Sequence, residues 1–433
     1  YNRGKIYPVN PKYDMVQGLK CYKSISEIED DVDLAILAVP AKAVPAALEE
    51  AARKGVKAAI VISGGFAEVG GEGAVLQRRL EEVIREYGIR VIGPNCIGVL
   101  DNTTGMDTFF LPEERLPRPP KGSVSIVSQS GALLSMWMDW LAQIGLGIAK
   151  AVSYGNKVDV DDADIIEYLA EDEDTKIILL YLEGLKPGRG RPFMDAVKRA
   201  LCKGKPLVVL KGGRTERGGL AAASHTAALA SGYEVYKSLF RQLGVIEVET
   251  MEEMFDVAKA YVMAGAARGR RLLILTNAGG EGVLATDYAA QLGLDVPILP
   301  EHIKEKLRKE LPPFVVVNNP VDLTADTDDE KYKLVLETVL AEKLVDIVVA
   351  IAPPHPPGMS GRVADYLAEA HYKYGVPVIA VATGGRLASA FLKLFESRGI
   401  PSYPTPERAV RAAAGLARIG EALRRARRRW CRG

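Results

Sequence analysis

Ile126-Val-Ser-Gln-Ser-Gly-Ala132, running straight into Leu133–Leu141, reads as a strand, a tight turn of small polar residues and a helix. A strand handed to a helix by so short a turn is half of a parallel βαβ unit. The same alternation repeats from end to end of the chain. Short β-branched runs at Leu34–Val39, Ala58–Ile62, Val124–Ser128, Ile177–Leu182, Leu207–Leu210, Leu272–Thr276, Ile347–Ile351 and Val378–Val381 are separated by Ala-, Glu-, Lys- and Leu-rich amphipathic segments. That is the pattern of parallel strands covered by helices on both faces. The expectation is an α/β protein of doubly wound domains.

At 433 residues the chain exceeds one compact core, and three domains are expected at roughly 100–200 residues each. The first boundary is the Pro-rich stretch Leu111–Pro120, whose prolines cannot serve an inner strand. The second lies near Ala264–Arg271, after a helix over Met251–Val262. The divisions are therefore 1–118, 119–266 and 267–433. A strand over Lys5–Val9 opens the first domain with no strand or Gly-rich turn before it. Doubly wound folds usually begin with both, so the natural chain is expected to start roughly 25–30 residues earlier.

Lys plus Arg total 56 against 55 for Asp plus Glu, so no global field draws the protein to nucleic acid or membrane. No apolar run approaches the ~20 residues of a membrane span, and no signal peptide opens the chain. Cys21, Cys96, Cys202 and Cys431 are scattered without the close pairs of a zinc site or disulfide framework, which fits a reducing, cytoplasmic interior. The Arg-rich segment Ile419–Arg429 reads as a solvated helix face and receives no function.

In open parallel sheets, ligands bind beyond the carboxyl ends of the strands. Three such ends in the first domain carry Val39-Pro40-Ala41, Ser63-Gly64-Gly65 and Gly93-Pro94-Asn95-Cys96, combining close-approach glycines with Ser and Asn donors. At the end of the earliest strand, where NAD-binding domains place an acidic ribose partner, stands Lys12. A cation there suits a phosphorylated ribose, as in coenzyme A or NADP; an exposed lysine after a turn proline fits equally. At Ser128-Gln-Ser-Gly131 the free amides of a helix start, with the Ser128 and Ser130 hydroxyls, make a phosphate site, although an ordinary capping serine explains the pattern too. A second such turn, Thr276-Asn-Ala-Gly-Gly-Glu281, opens the third domain.

The segment Lys211–Gly232 follows a strong strand and consists largely of Gly, Ala and Ser around His225, one of four histidines in the chain. A histidine so placed has little to pack against, and neutral imidazole is nucleophilic near physiological pH. It is the candidate carrier of a phosphoryl group between two sites. His302 and His371 sit on polar helical patterns and His355 lies among prolines. Glu183, ending the apolar strand Ile177–Leu182, is the candidate carboxylate to orient the imidazole; a solvated strand-end glutamate is the plain alternative.

Taken in order, these motifs resemble the α subunit of nucleoside-diphosphate-forming acyl-CoA synthetases, the superfamily of succinyl-CoA synthetase and the ADP-forming acetyl-CoA synthetases. Val39-Pro40-Ala41 and Val91–Cys96 are similar to the coenzyme A-binding domain, Val127–Gly131 to the phosphate-binding helix start, and Ser224-His225-Thr226 to the phosphohistidine loop. Thr276–Gly280 and Asn319–Leu323 resemble the extra domain of the acetyl-CoA type. The resemblance implies a Rossmann-like CoA-binding domain followed by two flavodoxin-like domains. It implies that phosphate attacks acyl-CoA to give an acyl phosphate, and that His225 then takes the phosphoryl group with Glu183 stabilising it. Ser128, Ser130 and Gly131 would hold phosphate, and Lys12, Val39, Pro40, Ser63, Gly64 and Asn95 would hold coenzyme A. ADP or ATP with Mg2+ would bind a separate ATP-grasp β subunit, making a hetero-oligomer; no Gly-x-x-x-x-Gly-Lys-Ser/Thr loop occurs in this chain. An NADP-dependent oxidoreductase fits Lys12 but leaves the His225 loop unexplained. A non-catalytic coenzyme A-binding protein stays open because the nucleotide-binding half is absent.

Overall fold

The computed structural model describes residues 4–219 and 232–431. The chain divides into two compact units, Tyr1–Glu247 and Val248–Gly433.

The first unit begins with a hairpin of β1 (Met15–Val16) and β2 (Leu19–Lys20), then β3 (Leu34–Leu37), α1 (Val44–Arg53), β4 (Ala58–Val61), α2 (Gly71–Tyr87) and β5 (Arg90–Ile92). Strands β3, β4 and β5 form a parallel sheet in that order, with Ile60 beside both Ile36 and Ile92. Helix α1 presents Val44, Leu48 and Ala51 to this sheet at single-turn spacing, and α2 adds Leu80 and Val83. Each fully buried aliphatic side chain contributes about 1.5–3 kcal/mol. The expected strand over Lys5–Val9 does not form: only Val9 pairs, in an isolated bridge to Tyr22. Its residues are largely exposed, so the β-branched pattern has no core to face.

The chain continues with β6 (Val99–Asp101), β7 (Met106–Asp107), β8 (Lys121–Ser128), α3 (Gly131–Gln143), β9 (Ile148–Ser153), α4 (Asp162–Glu171), β10 (Ile177–Leu182), α5 (Gly190–Cys202), β11 (Leu207–Lys211), α6 (Tyr233–Leu243) and β12 (Ile246–Val248). The sheet order is β12-β11-β10-β8-β9-β6-β7. Strands β8, β9, β10 and β11 are parallel neighbours, whereas β6 pairs antiparallel with β9. The chain thus enters this sheet at Val99, before the Pro-rich stretch, which is a surface connection between β7 and β8. Strand β10 is the core strand: Ile177, Ile178, Leu179, Leu180 and Leu182 are fully buried, as a strand covered on both faces requires.

The second unit contains α7 (Met251–Ala264), β13 (Leu272–Thr276), α8 (Gly279–Gln291), α9 (Glu301–Glu310), β14 (Val316–Val317), β15 (Val321–Asp322), α10 (Asp329–Ala341), β16 (Ile347–Ile351), α11 (Arg362–Tyr374), β17 (Val378–Val381), α12 (Arg386–Ser397), β18 (Ser402–Tyr403) and α13 (Pro406–Arg429). Its sheet runs β14-β15-β13-β16-β17-β18. Ala260 and Ala264 of α7 share a core with Ala409, Ala413 and Leu416 of α13 and with Leu272 and Ile347 of the sheet, so α7 packs with the strands that follow it. Thr250 caps α7 by accepting from the Glu253 amide, as a helix start requires.

Cys21 and Cys96 are free and buried. Among the described residues no helix is long and apolar enough to cross a membrane.

Candidate functional site

The candidate residues lie at the carboxyl ends of the strands of the first unit. Ser63, past the end of β4, donates its hydroxyl to the Val39 carbonyl past the end of β3, and the Asn95 amide donates to the Ser63 carbonyl at 2.9 Å. Gly64 lies so close to Asn95 that a Cβ there would sit 3.1 Å from Asn95 Oδ1. Val39, Ser63, Gly64 and Asn95 thus form one ledge, with Pro40 exposed beside Val39. Lys12 is exposed on a turn, its backbone amide bonded to Asn10 Oδ1 at 2.9 Å.

Behind this ledge stands a group that sequence reasoning missed. Glu68 accepts from the Gly65 amide at 2.6 Å, the Phe66 amide at 3.1 Å and Asn156 Nδ2 at 2.6 Å. Burial opposes its charge, but these donors hold its carboxyl below the usual carboxylate range. Asn95 Nδ2 reaches Asn156 Oδ1 at 3.5 Å, and the Asn156 amide donates to the Pro94 carbonyl at 2.9 Å. Gly155 lets these backbones meet: a Cβ on it would fall 2.1 Å from the Pro94 carbonyl oxygen. No pattern in the sequence pairs residues 68 and 156; only the packing of two sheets' strand ends does. Cys96 beside them is buried, and burial pushes its thiol up to about 12.

The phosphate-site candidates are built at the junction of β8 and α3. Ser128 is fully buried and its Oγ donates to the Ser130 carbonyl at 2.7 Å, bracing the turn from inside. Ser130 is the N-cap, its Oγ accepting from the Leu133 amide at 3.3 Å. The amides of Gly131 and Ala132 are first-turn donors, which no carbonyl of the helix can reach. A Cβ on Gly131 would lie 2.8 Å from Ile97 Cγ2, so the chain that carries Asn95 also walls the helix start. Gln129, 5% exposed, joins this turn to β10: its Oε1 accepts from the Glu183 amide at 3.1 Å and from Lys157 Nζ at 3.4 Å. The sequence carried a signal for Gln129, a polar residue inside an otherwise small-residue turn, but not for Lys157.

Glu183 follows β10, and its Oε1 accepts from the Tyr181 hydroxyl at 3.3 Å. Its carbonyl accepts from Lys211 Nζ at 2.7 Å, and the Gly212 amide donates to the Leu182 carbonyl at 2.9 Å. The root of the segment that carries His225 is therefore hydrogen-bonded to the strand that carries Glu183. His225 itself lies outside the described residues. Lys211 is buried with its ammonium 4.7 Å over the Tyr236 ring, and burial, against the pull of Glu183, brings it down to about 8.

The structure thus brings the ledge, the helix start and Glu183 together on the strand ends of one unit, and leaves the Lys12 side chain without a hydrogen bond or ion pair among the described residues. Known proteins match this chain. Family models for a CoA binding domain, a succinyl-CoA ligase like flavodoxin domain and a ligase-CoA domain match residues 1–102, 121–261 and 272–418. The chain is 40% identical over 418 residues to acetate–CoA ligase [ADP-forming] I of Archaeoglobus fulgidus, covering 96% of this chain and 59% of that one. It is 39% identical over 422 residues to acetate–CoA ligase [ADP-forming] II subunit alpha of Pyrococcus furiosus, covering 96% and 90%. The structure of dinucleotide forming acetyl-coenzyme A synthetase 1 of Ca. Korarchaeum cryptofilum, in complex with phosphate and ADP, aligns with a TM-score of 0.90 at 35% identity, covering 99% of this chain and 91% of that one. This chain spans about three-fifths of the A. fulgidus relative and nearly all of the P. furiosus alpha subunit, and it belongs to the ADP-forming acetate–CoA ligase family of acid–thiol ligases.

Proposed function

We propose that this chain is the acyl-CoA-handling, phosphohistidine-carrying part of an ADP-forming acyl-CoA synthetase, interconverting acyl-CoA, phosphate and ADP with a carboxylic acid, coenzyme A and ATP. In this reading residues 1–118 bind coenzyme A, 119–266 carry the phosphoryl chemistry, and 267–433 form the additional domain. Coenzyme A lies on the ledge of Val39, Pro40, Ser63, Gly64 and Asn95, with Lys12 on one of its phosphates. Phosphate sits on the amides of Gly131 and Ala132, in the turn that Ser128 and Ser130 shape, where a helix start favours an anion.

A phosphate oxygen attacks the thioester carbonyl, the thiolate leaves as coenzyme A, and an acyl phosphate remains. The neutral imidazole of His225 then attacks phosphorus, and the carboxylic acid leaves. Glu183 accepts the imidazole's other N–H, fixing the tautomer and stabilising the charge that develops. The phosphoryl group then passes from His225 to ADP in an ATP-grasp partner, where bound Mg2+ would offset the charge of the nucleotide phosphates. That the P. furiosus relative of nearly equal span is named subunit alpha supports a partner chain.

The observation that carries this reading is the link Gln129–Glu183–Lys211: two hydrogen bonds join the residue that precedes the N-cap of α3 to the root of the His225 segment. Incubation with radiolabelled phosphate and acetyl-CoA tests it. The expected product is an acid-labile, base-stable phosphoprotein with at most one coenzyme A released per chain, and sustained ATP formation only after an ATP-grasp partner is added. Tight NADP binding without any response to coenzyme A would overturn it.

A further inference from the structure

We infer that Gln129 orients the phosphate at the start of α3 by donating to it from Nε2. This rests on the proposed function and adds a contact made by a side chain, where that reading used only backbone amides. Gln129 immediately precedes the N-cap Ser130 and is 5% exposed. Which way round a buried amide lies is decided by its partners. Both partners here are donors: the Glu183 N–H at 3.1 Å and the Lys157 ammonium at 3.4 Å. Neither can face an NH2 group, so Oε1 is held toward them. Because the amide is planar, Nε2 is then turned away, with two N–H bonds that no described residue accepts.

Lys157 is suited to fixing this orientation and unsuited to touching substrate. It is 3% exposed, and its three N–H bonds go to Asp162 Oδ2 at 2.9 Å, to the Gly184 carbonyl and to Gln129. Asp162 also accepts from the Tyr154 hydroxyl at 2.6 Å, so both charges are spent inside the protein. What this network leaves over is the neutral donor Nε2, on the residue that precedes the N-cap Ser130 and so two positions along the chain from Gly131, whose amide opens α3. An oxyanion with several acceptor oxygens is the ligand that a side-chain donor next to free helix-start amides matches.

Gln129→Glu separates this role from a purely structural one. It keeps an oxygen for the Glu183 amide and gives Lys157 a carboxylate, preserving the internal link, but replaces the NH2 donor with an acceptor. The full chain is titrated with inorganic phosphate, followed by phosphorus NMR, with coenzyme A affinity and the thermal midpoint measured alongside. Phosphate affinity should fall roughly ten- to a hundredfold, with coenzyme A affinity and the midpoint near wild type. Gln129→Met, similar in length and without donors, gives the same readout if the glutamate variant folds poorly. Equal phosphate affinity in wild type and variants, or no phosphate binding by the wild type, overturns the assignment. Phosphohistidine in the wild type is scored separately: its presence alongside equal phosphate affinities sinks Gln129 alone, and its absence sinks the proposed function as well.

Discussion

The two strand–turn–helix junctions, Ser128-Gln-Ser-Gly131 in the first unit and Thr276-Asn-Ala-Gly279 in the second, share a backbone plan and differ in the atoms they present. Both are braced alike: Ser128 Oγ donates to the Ser130 carbonyl at 2.7 Å, and Thr276 Oγ1 to the Ala278 carbonyl at 3.0 Å. Both bury an amide side chain next, Gln129 at 5% and Asn277 at 4% exposure. Their neighbours are opposite in kind. Two donors hold Gln129 by its oxygen, whereas Asn277 donates from Nδ2 to the Pro353 carbonyl at 3.2 Å and its Oδ1 has no partner among the described residues. Against Gly131 stands the apolar Ile97, against Gly279 the carboxylate of Asp322. The same backbone plan therefore offers donors in one unit and oxygens in the other. Polarity at a helix start is set by the strands alongside as much as by the turn itself.

The strongest way to break the comparison is at its chemical end. His225→Ala should abolish phosphoprotein formation and leave coenzyme A binding intact; mass spectrometry of the protein after incubation with acetyl-CoA and phosphate decides it, and phosphate retained by the variant would return the second junction's unit to contention. Next in size, Glu183→Gln should slow phosphohistidine formation roughly 10–100-fold without altering phosphate affinity, since orienting partners of a reactive imidazole act at that scale. Lys12→Ala should weaken coenzyme A roughly ten- to a hundredfold in equilibrium binding; an unchanged affinity would leave Lys12 as an exposed turn lysine.

The remaining predictions concern stability. Lys211 lies at the root of the His225 segment, and burial brings it to about 8 when folded against 10.5 ordinarily. The unfolded chain therefore binds more protons between those values, so stability should rise with pH from about 8 to 10.5, by as much as about 3 kcal/mol. Lys211→Met should flatten that rise in denaturant midpoints. Gly131→Ala and Gly279→Ala should each cost about 1–3 kcal/mol, because the new methyl would overlap Ile97 in one case and Asp322 in the other. Smallest, Ser130→Ala should lose about 1 kcal/mol by uncapping α3, and Ala278→Ser should gain up to about 1 kcal/mol, as Ala278 is an N-cap in extended backbone with no side-chain bond.

Much of the fold is legible in the sequence because buried parallel strands must be short and uniformly apolar. Ile177–Leu182, Leu272–Thr276, Ile347–Ile351 and Val378–Val381 form strands with the bounds the pattern predicts. Lys5–Val9 carries a similar pattern and forms no strand, since a strand is completed by neighbours and Val9 alone finds one.

In the candidate site the sequence by itself determined the residue types at the strand ends, the glycines that let backbones close on one another, and the small-residue segment around His225. It determined these because turn chemistry and periodicity are local. Only the tertiary structure decided that Glu68 and Asn156 support the ledge of Ser63 and Asn95, that Lys157 and the Glu183 amide fix the orientation of Gln129, and that Lys211 is buried against Tyr236. Those are bonds between residues far apart along the chain, and a hydrogen bond's direction depends on which partner the fold brings within reach, a property that no window of sequence contains.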